Sequence, residues 1–111
     1  MAKRRPLPTG QPTKPQIFEA SLGSNGSVLK GQPLTQVQAE DRRKAGLDIV
    51  ICGPDLAANC RLAEAVESAV GKAKRCPPHP RAGAQALPHY QPDPRPPAGH
   101  TFYETPQRKA I

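Results

Sequence analysis

The chain has no tryptophan, only two phenylalanines and two tyrosines, one methionine and three cysteines. So few aromatics leave a core that must be built from Ile, Val, Leu and Ala, and a chain of 111 residues supports one small domain rather than two. The three cysteines, Cys52, Cys60 and Cys76, are odd in number and lack paired metal-ligand spacing, which excludes a disulfide framework and a CxxC zinc site. Cys52 and Cys60 lie in apolar stretches and read as small core residues. No run of 18 apolar residues occurs, so no membrane segment is expected. The opening "MAKRRPLPTGQ" is basic without a following apolar region, so it is not a secretory signal peptide.

Negative charge is also scarce: nine acidic residues stand against sixteen basic ones. The imbalance is local. Residues 17–70 carry five basic and seven acidic groups, whereas residues 71–111 carry seven basic and two acidic ones. A positive field over the C-terminal part suits an anionic partner such as a nucleic-acid phosphate, and also suits a merely soluble basic loop.

What is abundant is proline, fifteen in all, eight of them in the stretch from Pro77 to Glu104 that also holds all three histidines. Residues 1–15 read as a flexible Pro-rich basic arm and residues 16–108 as a single domain. "IFEASL" has strand composition, "GSNGS" supplies an Asn25-Gly26 turn, and "VLKG" is the returning strand of a hairpin. In "PLTQVQAEDRRKAG", Thr35 and Gln38 form a capping-box pattern and Gly46 suits the C′ position, which predicts a surface helix with Arg42, Arg43 and Lys44 near its C-terminus. "LDIVIC" predicts a central strand covered on both sides. A second helix starts at Pro54 or Asp55 and stops at Gly71, with Leu56, Cys60, Ala63, Val66 and Val70 on its core stripe and Asn59, Arg61, Glu64 and Glu67 on the other side. "KAKRC" and "HTFYET" follow as short strands separated by the Pro-rich segment. The expected fold is α+β: a small single domain with a short mixed sheet, two helices and a long Pro-rich loop. "CGPDLAAN" lacks the glycines and lysine of a phosphate loop.

His79, His89 and His100 each follow a Pro or Gly, at loop or strand edges. Imidazole gives and takes protons near neutrality, so a pair supports general acid/base chemistry without a metal. In RNA cleavage one group deprotonates the ribose 2′-OH and another protonates the departing 5′-oxygen, while a cation stabilises charge on phosphorus. His89 and His100 are the expected pair, with Arg81 as cation and Tyr103 as hydrogen-bonding support. His79, Arg95, Lys74, Arg75, Gln91 and Thr101 are expected to bind substrate. No cofactor or metal is expected. If Phe102 is in the core, alternation along "HTFYE" tends to turn His100 inward towards Glu104, unless His100 sits just before the strand. Two alternatives stay open: a metal-dependent DNase using the histidines with Asp93 or Glu104, and a Cys76 nucleophile activated by His79.

The run "EDRRKAGLDIVICGPDLAANCRLAEAVESAVG" followed by "ALPHYQPDPRPPAGHTFYE" resembles the C-terminal toxin domains of bacterial polymorphic toxin systems, those attached to Rhs-repeat or PAAR carriers. The resemblance spans about residues 33–108 and lies in layout and in the "LPHYQ" and "GHTFYE" segments. It implies a small basic nuclease acting in interbacterial competition, delivered by a carrier into the target-cell cytoplasm and neutralised by a cognate immunity protein. The expected substrate is RNA, with DNA or a nucleotide as other targets, and the expected state is a monomer. A non-enzymatic module binding nucleic acid or protein through the basic C-terminal half is the competing class.

Overall fold

A computed structural model describes residues 14–77, 86–94 and 97–111. The elements run β1 (Gln16–Leu22), β2 (Val28–Leu34), α1 (Gln36–Lys44), β3 (Ile49–Cys52), α2 (Leu56–Ser68), β4 (Ala73–Cys76), β5 (His89–Pro92) and β6 (Thr101–Tyr103). The six strands form one mixed sheet in the order β2-β1-β3-β6-β5-β4, in which only β3 and β6 pair in parallel. This is the expected α+β domain, a small sheet with two helices.

Local signals set the first half. Asn25 and Gly26 take positive φ values of 57° and 75° in the turn between β1 and β2, where a short polar side chain and glycine are tolerated. Thr35 caps α1 by accepting from the Gln38 amide at 3.1 Å, while the Gln38 side chain accepts from the Thr35 amide at 2.9 Å. Gly46, at φ 82°, ends the helix. β3 is central: Ile49, Val50 and Ile51 are fully buried, Ile49 and Ile51 against the helices and Val50 on the opposite face.

Both helices cover one face, where Ala39, Ala63 and Val66 pack on Ile17, Ile49, Ile51, Tyr90 and Tyr103. The other face gathers Ala20, Val28, Val50, Leu87 and Phe102, with Ala110 packed against them. The chain returns over this side after β6. Ile111 donates its amide to the Val28 carbonyl at 2.8 Å and accepts from the Lys30 amide at 2.9 Å, covering part of the outer edge of β2.

Three expectations need correction. The Pro-rich segment contains a strand, β5, in which Tyr90 and Pro92 are buried. Arg43 does not lie on the surface: it is fully buried and bound to Glu67 by two hydrogen bonds, Nε to Oε1 at 2.9 Å and Nη2 to Oε2 at 3.2 Å. Asn59 and Glu67 likewise face inward from α2, while Leu56 is exposed. Periodicity assigned these charges to water, but each carries its own partner into the interior. Asn59 Nδ2 donates to the carbonyls of Gly53 and Glu104, at 2.9 and 3.1 Å.

Candidate active site

The parallel pairing of β3 and β6 brings two polar residues together at the same end of the sheet. Ile49 is opposite Thr101, so the residues just before them, Asp48 and His100, are neighbours. Asp48 Oδ1 accepts from the His100 amide at 2.8 Å and faces its Nδ1 at 3.2 Å. On the other side of β6, Tyr90 is opposite Thr101 and His89 opposite Phe102. One residue further, Gln91 comes level with His100, and Gln91 in turn pairs with Lys74 on β4. Asp48, His100, Gln91 and Lys74 therefore form one row across four strands. Val50, Phe102, His89 and Cys76 form the next.

The two imidazoles meet edge to face with ring centroids 4.7 Å apart, and both contact Phe102, at 5.6 Å from His89 and 5.2 Å from His100. His100 sits just before the strand, shares the face of Phe102 and keeps 29% of its side chain accessible. Its partner is Asp48 rather than Glu104, whose carboxylate accepts from the Gly53 amide at 3.3 Å and the Ala110 amide at 2.8 Å.

Burial alone would raise the Asp48 pKa. Hydrogen bonds from the His100 side chain and amide, with the charges of His100 and Arg43, outweigh it and hold the carboxyl below its ordinary 3.8. An ionised Asp48 accepts the Nδ1 proton and leaves the His100 Nε2 lone pair for a substrate. His89 Nε2 lies 3.3 Å from Gln91 Oε1, an acceptor, which favours the tautomer with the proton on Nε2.

The approach to His100 is fixed from below. Arg43 Nη1 donates to the carbonyls of Leu47, at 3.0 Å, and Ala98, at 2.8 Å, the residues just ahead of Asp48 and of Gly99-His100. Thr101 Oγ1 donates to Glu67 Oε1 at 2.7 Å, so the same buried ion pair grips β6 directly. Gly99 has φ 89°, and a Cβ there would meet Arg43 Nη1 at 2.5 Å and the Gly46 carbonyl oxygen at 2.8 Å.

Of the expected site residues, the structure unites His89, His100, Gln91 and Lys74 on one face. Thr101, Tyr103 and Arg75 belong to the other. Thr101 is fully buried on Glu67, which removes it from any substrate. Tyr103 is buried against Tyr90, with ring centroids 5.8 Å apart, and lies with Cys60 and Arg75 on the helix side, so it does not support the imidazoles. His79, Arg81 and Arg95 lie outside the described residues. Asp48 is the functional residue that sequence reasoning missed. Its signal was a carboxylate opening an apolar run, legible only if β3 and β6 were known to be parallel neighbours.

Two of the cysteines are engaged in the interior. Cys60 Sγ meets the Tyr90 hydroxyl at 3.3 Å, and burial together with Glu104 pushes the Cys52 thiol up to about 12. Among the described residues, no three of His, Cys, Asp and Glu converge as a ligand set, and no helix is long and apolar enough to cross a membrane. A larger depression of about 850 Å³ lies elsewhere, between β1, β2 and the helices, but its described lining holds no His, Cys, Asp, Glu or Tyr. The histidine site is the smaller hollow with the richer chemistry. Compared with protein-family models, with curated proteins and with solved structures, the chain finds no match.

Proposed function

We propose that this domain is a toxin-like, metal-independent endoribonuclease in which His100 is the general base and His89 the general acid. The observation that supports it is the 4.7 Å separation of the two imidazoles, one of them oriented by Asp48. Both rings are then within reach of one phosphodiester, since each proton transfer needs a heavy-atom distance of ~3 Å. His100 Nε2 takes the proton of the ribose 2′-OH, O2′ attacks phosphorus, and a 2′,3′-cyclic phosphate forms. The P–O5′ bond breaks and the 5′-oxygen takes a proton from His89, which enters the step as imidazolium and leaves it neutral. Protons and electrons balance with no co-reactant. Lys74, two strands from His100 in the same row and so ~10 Å away at its Cα, is a cation set to meet the phosphate chain.

The setting that goes with this reading is delivery into a competing bacterium and neutralisation by an immunity protein, as the sequence resemblance implies. The test is His100→Ala. RNA cleavage falls by ~10²–10⁴ while circular dichroism and RNA affinity are retained. Unchanged cleavage removes His100 from the mechanism. Cleavage abolished by a chelator makes the enzyme metal-dependent, and salt-dependent binding with no product under any metal condition makes the domain a binding module.

A further inference from the structure

Beside the imidazole pair is a recess of about 330 Å³. His89, His100 and Phe102 form its floor. Leu22, Gly23 and Gly26, from the β1–β2 turn, form one wall, and Ala86 and Leu87 form the other. No Lys, Arg, Asp or Glu is among its described lining residues. The scissile phosphate meets the imidazole edges, and the rest of the described lining, Leu22, Gly23, Gly26, Ala86, Leu87 and Phe102, offers no charge to a further phosphate. The recess suits something flat, uncharged and aromatic. At ~300 Å³ it stands at the small end of ligand pockets, with room for one ring system rather than a stacked pair.

These walls and the adjacent row of Gln91 and Lys74 divide the site into an apolar hole and a polar track. We propose that the hole receives the base of one unpaired nucleotide next to the scissile phosphate, so that the enzyme acts on single-stranded RNA. This deepens the ribonuclease reading and rests on it. The base lies against the imidazoles and the small exposed part of Phe102, which is 6% accessible, where base–aromatic contact contributes up to ~1–3 kcal/mol, while the phosphates run along the polar row. A paired base cannot enter without leaving its stack, which costs a few kcal/mol and sets the preference against duplex.

The chain's two phenylalanines make the experiment direct, since Phe18 lies under the Lys30 ammonium, 5.3 Å from its ring centroid, and does not line the recess. Full-length protein with labelled phenylalanine is titrated with a 2′-deoxy single strand, which this chemistry cannot cleave, with the same strand annealed to its complement, and with inorganic polyphosphate. The single strand shifts the ring signals of Phe102 and leaves Phe18 nearly still; duplex and polyphosphate leave Phe102 in place. Equal shifts of Phe102 with all three probes, or none with the single strand, overturn the proposal. In parallel, single-stranded RNA is cleaved ~100-fold faster than the same RNA annealed, the rate equivalent of a few kcal/mol. Phe102 shifts without RNA cleavage would remove the ribonuclease reading and leave the recess. Equal cleavage of single strand and duplex would remove the recess and leave the ribonuclease.

Discussion

On the helix-covered face of the sheet, Arg43, Glu67 and Thr101 are fully buried and bound to one another or to backbone carbonyls. On the opposite face, a few ångströms away through the same strands, Asp48 and His100 keep about a quarter of their side chains accessible, 21% and 29%. Both faces hold an acid and a base. The difference is what the groups have left to offer: the ion pair is hydrogen-bonded within the protein, whereas His100 uses Nδ1 on Asp48 and keeps part of its ring accessible. A sealed polar cluster can only specify geometry, and an open one can exchange protons.

Breaking the sealed side has the largest expected effect. Glu67→Ala leaves Arg43 without its counter-charge in the interior, which costs ~3–5 kcal/mol, a large fraction of the ~5–15 kcal/mol that holds a domain together. Urea unfolding measures it, and replacing both partners together, Arg43→Met with Glu67→Leu, recovers much of the loss. On the open side, Asp48→Asn removes a charged hydrogen bond worth ~1.5–3 kcal/mol to His100, so RNA cleavage falls ~10–100-fold with the fold retained. Gly99→Ala lies between the two faces. Its φ of 89° and the contact with Arg43 predict ~1–3 kcal/mol of destabilisation, read as a lowered melting temperature.

Acid titration separates the faces more gently. The Asp48 carboxyl has a folded pKa below its ordinary 3.8, so it binds fewer protons folded than unfolded. Its contribution to stability is complete above that ordinary value and is lost as pH falls through the lower folded value, and Asp48→Asn flattens this acid limb of the unfolding free energy. Tyr103→Phe has the smallest effect, leaving the cleavage rate within ~2-fold, because its hydroxyl lies in the helix layer.

What the sequence made legible were features decided by neighbours along the chain. The Asn25-Gly26 turn, the Thr35–Gln38 capping box, the terminating Gly46 and the buried run of β3 are each decided within a few residues. What it hid were features decided at a distance. Arg43 and Glu67 are 24 residues apart and look like surface charges on separate helices, because amphipathic patterning has no way to mark a pair that is buried together. β5 was hidden by its prolines, Pro88 just before the strand and Pro92 at its last position, opposite Ala73. The two histidines were legible as chemistry but not as geometry. Asp48 was legible as neither, since its role exists only through the parallel register with β6.

That register makes the short approach Pro97–Gly99 a counting device. Side chains alternate along β6, so lengthening or shortening the approach by one residue exchanges the two faces of the strand. With β6 slipped one way, a threonine hydroxyl would stand opposite Asp48; slipped the other way, an imidazole would be pressed against Glu67 in the helix layer. The proposed proton chemistry depends on an even-or-odd choice made in three residues, and the Arg43 grip on Ala98 is what keeps the count.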